Sequence, residues 1–128
     1  MLIEINFNSD EAIYAQLVDQ IIVGIATEEF REGDTLPSVR QLADMIGINM
    51  HTVNKAYAVL QQEGFVRIDR RRGAVIAVDI DKLRALKEAE DILAVIFART
   101  HCRGVTREEI HAIVDRIYDR YGERNGER

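Results

Sequence analysis

Apolar residues recur along this chain at two periods, and the changes of period mark its elements. Residues 3–7 alternate, with Ile3, Ile5 and Phe7 apolar and Glu4 and Asn6 polar, which predicts a short half-buried strand. Ser9 and Asp10 are suited to cap the helix that follows. In that helix Ile13, Leu17, Ile21 and Ile25 recur every four residues and mark a buried face. Gly33 predicts a turn within Arg31 to Asp34. Ser38 and Gln41 then form an S-x-x-Q capping box, so a second helix is expected to start after Pro37, with Val39, Leu42, Ala43 and Ile46 inward and Gly47 at its end. Asn49 is placed to cap a third helix, whose inward face is Val53, Ala56, Tyr57 and Leu60 and whose stop is Gly64. Two helices joined around a glycine in this way form a helix-turn-helix pattern.

Beyond Gly64 the period shortens again. Phe65, Val66 and Ile68 predict one short strand, and Ala74 to Val78 a second. The charged stretch Asp69 to Gly73 turns between them, giving a hairpin of the kind called a wing when it follows a helix-turn-helix. Asp81 is a plausible cap for a longer helix running from Lys82 to about Thr100, with Leu83, Leu86, Ile92, Leu93, Ile96 and Phe97 as its apolar set. Gly104 breaks it. Thr106 and Glu109 form a second capping box, before a stripe of Ile110, Ile113, Val114, Ile117 and Tyr121. The tail from Gly122 to Arg128 is polar and is expected to fray.

Charge changes the picture only when it is split by segment. The chain of 128 residues carries 17 Lys plus Arg against 22 Asp plus Glu, a formal charge of −5, which as an average argues against a nucleic-acid ligand. Residues 1–35 hold Arg31 against eight acidic residues, whereas 36–78 hold six basic residues (Arg40, Lys55, Arg67, Arg70, Arg71, Arg72) against three acidic ones. The basic excess therefore coincides with the helix-turn-helix and the hairpin.

Other functional classes find little support. Cys102 is the one cysteine, which excludes an internal disulfide framework and a multi-cysteine zinc site. His101, Cys102 and His111 are the metal-ligand candidates, but adjacent side chains diverge and His111 lies beyond a turn, so no metal is expected. No Ser/His/Asp set, glycine-rich phosphate loop or framed pair of carboxylates points to an enzyme, and no cofactor is expected. No apolar run approaches the ~18–20 residues of a membrane span. The start, Met1-Leu2-Ile3-Glu4, lacks the basic and apolar regions of a signal peptide, so a cytoplasmic protein is expected.

The run from Leu36 to Val66 carries Leu36-Pro37-Ser38-x-Arg40-x-Leu42-Ala43, then Gly47, Thr52-Val53-x-x-Ala56-Tyr57-x-x-Leu60 and Gly64 at fixed spacing. It strongly resembles the winged helix-turn-helix of the GntR family of bacterial transcription regulators, and Ile13-Tyr14-x-Gln16 resembles that family's first helix. The resemblance implies a mainly α fold with a small β-hairpin. It implies a DNA-binding domain over residues 1–78 and a short two-helix C-terminal region over 79–128. That region is similar in length and helix pattern to the YtrA subfamily, where it mediates dimerisation.

Site residues follow from the same match and from groove chemistry. The start of a recognition helix faces base edges in the major groove. Here that start is Asn49, Met50, His51 and Thr52, with Asn54 and Lys55 one turn on. Asn can pair with adenine, Thr with a polar edge or a thymine methyl, and Met50 with a methyl. Relatives with arginine at the positions of Met50 and Asn54 must read bases differently. Arg40 corresponds to an arginine that contacts backbone or base in the family, and Ser38 caps its helix and can face a phosphate. The family's usual wing ending, G-x-G-T-F-V, is replaced by Arg71-Arg72-Gly73-Ala74-Val75-Ile76, and Arg70, Arg71 and Arg72 together make a basic tip suited to phosphates or a narrow minor groove.

The leading expectation is a sequence-specific regulator that binds double-stranded DNA as a homodimer through its C-terminal helices, most simply a repressor on an inverted repeat. YtrA-like members accompany transporter genes, so such an operon is the implied target. Tyr118 and Tyr121 fit an interface stripe. Two other readings are a winged-helix protein-interaction module without DNA, and a sensor with a small molecule at the dimer interface. Replacing Arg70, Arg71 and Arg72 together with Ala is expected to weaken DNA binding, each lost phosphate contact lowering the log–log salt slope by about 0.9. An unchanged slope in a filter-binding salt titration would remove the tip from the interface.

Overall fold

A computed structural model describes residues 3–122 of the chain. The chain divides into two compact units, Met1–Asp79 and Ile80–Arg128. The first contains α1 (Ile13–Ala26), α2 (Val39–Ile46), α3 (Met50–Gln62) and a hairpin of β1 (Val66–Asp69) and β2 (Gly73–Ile76). The second contains α4 (Lys82–Cys102) and α5 (Arg107–Tyr118). No helix among the described residues is long and apolar enough to cross a membrane.

The first unit closes around α3, which packs against α1, α2 and β1. Leu17 and Ile21 of α1, Leu42 of α2 and Val53, Ala56 and Leu60 of α3 are fully buried, so the expected faces meet in one core. Full burial of a Leu or Ile side chain stabilises by roughly 1.5–3 kcal/mol, and this cluster is what holds three short helices together. The capping box is present: the Ser38 hydroxyl accepts from the Gln41 amide at 3.1 Å, and the Gln41 side chain accepts from the Ser38 amide at 3.0 Å. Gly47 ends α2 with φ +80°, a left-handed conformation that a β-carbon disfavours. Its amide and that of Ile48 both donate to the Ala43 carbonyl, which turns the chain directly into α3.

The hairpin is antiparallel, in register from Val66↔Ile76 to Asp69↔Gly73. A third segment lies along it. Thr35 bridges to Val75, the Leu36 amide donates to Ala74 at 2.8 Å, and the Ile76 amide donates to Asp34 at 2.8 Å. The second strand stops at Ile76, short of the expected Val78: the Ala77 amide still donates to the Phe65 carbonyl, but the Phe65 amide is taken by the Leu60 carbonyl at the end of α3, and the Val78 amide donates to the Glu32 carboxylate.

Two N-terminal expectations are corrected. Residues 3–7 are not a strand. Their backbone pairs with glutamine side chains of α1: the Asn6 amide donates to Gln16 Oε1 at 2.9 Å, and the Glu4 amide to Gln20 Oε1 at 2.9 Å. Gln16 Nε2 returns a bond to the Asn6 carbonyl, and Gln20 Nε2 to that of Glu4. A carboxamide offers the same donor and acceptor as a peptide group, and the ~6 Å between residues i and i+4 of a helix nearly matches the ~6.8 Å between alternate strand residues. The alternation holds for Ile3 and Ile5, which are half-buried, and fails at Phe7, which lies in a turn and is 61% exposed; the partner of the segment is a helix. Ser9 and Asp10 do not cap α1 either. The helix starts later, after Ala12, and no side chain caps it; the Ser9 hydroxyl accepts from the Glu11 amide instead.

In the second unit the local signals hold. Asp81 accepts from the Arg84 amide, Gly104 takes φ +83°, and Thr106 and Glu109 form their capping box. The helix α4 runs to Cys102, beyond the expected Thr100. Neither α4 nor α5 buries a single residue, and Leu83 and Leu86 are 80% and 58% exposed. The tail expected to fray lies outside the described residues from position 123 onward.

Gln16 is the buried polar residue of the first unit, with both ends of its carboxamide satisfied. Gln16→Ala should therefore destabilise the fold by about 2 kcal/mol in urea unfolding and speed hydrogen exchange at the Asn6 amide. Unchanged exchange there would show that the segment is held by other means.

Candidate nucleic-acid interface

Capping fixes where α3 begins. Asn49 Oδ1 accepts from the His51 amide at 2.7 Å, which commits that oxygen to the helix end. Met50, His51, Asn54 and Lys55 are exposed, and Thr52 is half-buried beside the core residue Val53. At about 100° per residue, Met50, Asn54, Ala58 and Gln61 fall along one ridge and His51 and Lys55 along its flank.

The ridge borders a hollow of about 470 Å³. Asn54, Ala58 and Gln61 form one wall, Ser38 and Gln41 of α2 another, and Ile68, Arg72 and Gly73 of the hairpin the third. Tyr57 lies beneath it, and its phenol donates to the Pro37 carbonyl at 2.6 Å. Burial pushes that phenol far above its ordinary pKa, so it remains a donor. The structure thus gathers Ser38, Asn54, Arg72 and Gly73 around one concavity, with Arg40 exposed in the first turn of α2. Gln61, Ala58, Gln41 and Thr35 also line it, although base and phosphate chemistry had not singled them out. The signal for Gln61 was present: it lies seven residues after Asn54, two helical turns along the same face.

Two expected contacts have other partners in the free chain. The Lys55 ammonium stands 4.0 Å from the centroid of the Tyr14 ring, a cation–π contact toward α1. Arg72 Nη2 donates to the Gly33 carbonyl and to Thr35 Oγ1, so its guanidinium folds back on the protein.

The tip itself is organised by a carboxylate. Asp69 Oδ1 accepts from the backbone amides of Arg71 at 2.8 Å and Arg72 at 3.1 Å, and Oδ2 pairs with Arg67 at 3.3 Å. This is an Asx turn, in which a side chain replaces a missing backbone partner. The two amides, with Arg67 adding to them, hold the Asp69 carboxyl below its ordinary pKa. Arg70 and Arg71 are both exposed at the tip.

The metal candidates lie elsewhere. His101 and His111 face one cleft of about 490 Å³ between α4 and α5, lined also by Leu93, Phe97, Ile110 and Val114, while Cys102 is exposed. No group of three or more His, Cys, Asp or Glu among the described residues is placed to hold a metal. Tyr118 and Tyr121 meet edge to face at 5.4 Å.

Residues 11–76 match the bacterial regulatory proteins of the gntR family. The HTH-type transcriptional repressor YtrA of Bacillus subtilis is 33% identical over 122 residues, covering 91% of this chain and 92% of that protein. Among solved structures, YtrA from Sulfolobus acidocaldarius, a GntR-family transcription factor, is 40% identical with a TM-score of 0.66, covering 80% of this chain and 99% of the other. A transcriptional antiterminator from Listeria monocytogenes EGD-e has a TM-score of 0.84 at 31% identity, covering 100% and 98%.

The Asx turn has a defined pH window. An aspartate with a depressed pKa stabilises the turn above the unfolded value of about 3.9, and that contribution is lost as pH falls through the lowered value. The amide resonances of Arg71 and Arg72 should hold from neutral pH down to the ordinary aspartate value of about 3.9 and move together only below it. Movement near neutral pH would detach them from Asp69.

Proposed function

The chain belongs to the GntR family of bacterial regulatory proteins, helix-turn-helix regulators of transcription, and we propose that it is a repressor that binds an inverted-repeat operator as a homodimer. The observation that carries the DNA mode is the exposed edge of α3 beside a hairpin with an arginine tip, both bordering one hollow. In this reading α3 enters the major groove. Asn49, Met50, His51, Thr52 and Asn54 meet base edges, with Lys55 on the flank. Ser38 and Arg40 at the start of α2 face phosphates, and Arg70 and Arg71 extend the contact at the wing. The acidic stretch of residues 1–35 disfavours docking by the opposite face.

In the same reading residues 1–78 bind DNA and residues 79–128 associate. What supports self-association is that no described residue of the second unit is buried. Ile92, Leu93, Ile96 and Phe97 of α4 and Ile113 and Val114 of α5 are all more than a third exposed, from 37% at Phe97 to 62% at Ile92. Two helices this short cannot bury their stripes alone, and a second copy supplies the missing surface with the commonest symmetry, C₂. Two recognition helices about 34–36 Å apart would then read successive half-sites. The repressor role is supported by the B. subtilis relative's description as a transcriptional repressor, and the resemblance to the YtrA subfamily implies a cytoplasmic regulator of a transporter operon.

The test combines oligomeric state with site mapping. Sedimentation should give a dimer at micromolar concentration, and Phe97→Glu should give a monomer whose α1–α3 unit remains folded by amide dispersion. Genome-wide binding-site mapping should return an inverted repeat with half-site centres about one duplex turn apart. A wild-type monomer, or a direct repeat, would overturn the homodimer reading.

A further inference from the structure

The three arginines at the wing tip look equivalent in sequence and are not equivalent in structure. Asp69 builds the turn from the amides of Arg71 and Arg72, and that turn leaves the side chains of Arg70 and Arg71 exposed. Arg72 is exposed as well, but its guanidinium is engaged. One nitrogen of its guanidinium reaches both the Gly33 carbonyl and Thr35 Oγ1, 39 and 37 residues away in sequence. Those acceptors belong to the segment that bridges to Val75 and pairs with Ala74 and Ile76. Arg72 therefore extends this backbone pairing toward the turn of the hairpin, linking it to the segment that precedes α2, whose first turn and Ser38 form another wall of the same hollow.

We propose that Arg72 is a positioning residue for DNA binding: it clamps the wing to the Gly33–Thr35 segment and so sets where Arg70 and Arg71 meet phosphates, while making no phosphate contact itself. The role rests on the DNA-binding reading above. Bonds to a carbonyl and a hydroxyl leave the guanidinium charged but tether it to the protein, and the turn end of a two-strand hairpin, which lies beyond the backbone pairs made by Ala74, Val75 and Ile76, is marginal without such a tether and moves. A wing that moves can still reach DNA, but it loses freedom when it does, so affinity falls without a change in the number of ions displaced.

The experiment is a salt titration of the full chain with a labelled random-sequence duplex of about 30 base pairs, since the phosphate contribution is independent of sequence. Arg70→Gln and Arg71→Gln should each lower the log–log slope by about 0.9. Arg72→Gln should weaken binding several-fold at every salt concentration with the slope of the wild type. Thr35→Val removes one acceptor of the clamp; it should weaken binding in the wild-type background and have no further effect in Arg72→Gln, the non-additivity of two residues acting through one contact. In the free chain, Arg72→Gln should speed hydrogen exchange at the Leu36 and Ile76 amides without DNA present. A slope lowered by about 0.9 in Arg72→Gln, with exchange unchanged and Thr35→Val additive, would overturn the clamp and make Arg72 a third phosphate contact. If the wild-type chain itself shows no salt-dependent binding, the DNA reading fails and this role fails with it, a result distinct from a normal wild-type slope with a lowered variant one.

Discussion

The Tyr57 phenol sits where α3, the start of α2 and the floor of the hollow come together. A buried hydroxyl without a partner is costly, and the Pro37 carbonyl is the acceptor that meets it at 2.6 Å. The helical ladder of α2 begins with the Ser38 carbonyl, which accepts from the Leu42 amide at 2.9 Å, so the Pro37 carbonyl lies just outside it and is available to a distant side chain. One bond thus sets the start of α2 against the second turn of α3. The positions of Ser38 and Asn54 about the hollow depend on it. Val53, Ala56 and Leu60 supply the apolar burial that holds α3 down, but apolar packing alone is tolerant of small rotations, whereas a hydrogen bond of this length is directional.

Features fixed by residues a few positions apart were legible in the sequence. Both capping boxes, the glycine at the end of α2 and the four-residue periodicity of α1 rest on contacts within one or two turns, and each is where the spacing put it. The whole helix-turn-helix was legible for this reason. Features decided by distant partners were not. Alternation at Ile3, Ile5 and Phe7 reports an extended backbone with two faces, but it says nothing about what the amides pair with, and Gln16 and Gln20 took the place of a strand. Ser9 and Asp10 are good caps in composition but stand ahead of the true helix start. At the site, counting arginines at the tip could not reveal that Arg72 finds Gly33 and Thr35, nor that Lys55 settles on Tyr14. Long flexible cations are the residues whose partners sequence reading judges worst, because their reach spans several neighbours.

The two units differ in what keeps them folded. The first has its own core and closes its polar groups internally, down to the carboxamide of Gln16. The second has helix caps at both starts and i,i+4 ion pairs, Arg84 with Glu88 and Lys87 with Asp91, but no buried residue among those described. Exposed pairs of that kind contribute only ~0.3–0.5 kcal/mol each. Caps and surface pairs specify helices without holding them against one another, so folding of α4 and α5 is tied to what covers them.

In the Asx turn at the wing tip, Asp69 uses only the backbone amides of Arg71 and Arg72, and the clamp uses only the side chain of Arg72. The side chains at positions 70 and 71 take no part in either. Their charge can be exchanged without disturbing the turn, the clamp or the core. In the DNA-binding reading proposed above, affinity for DNA can therefore be raised or lowered at positions 70 and 71 while the turn and the core keep their contacts.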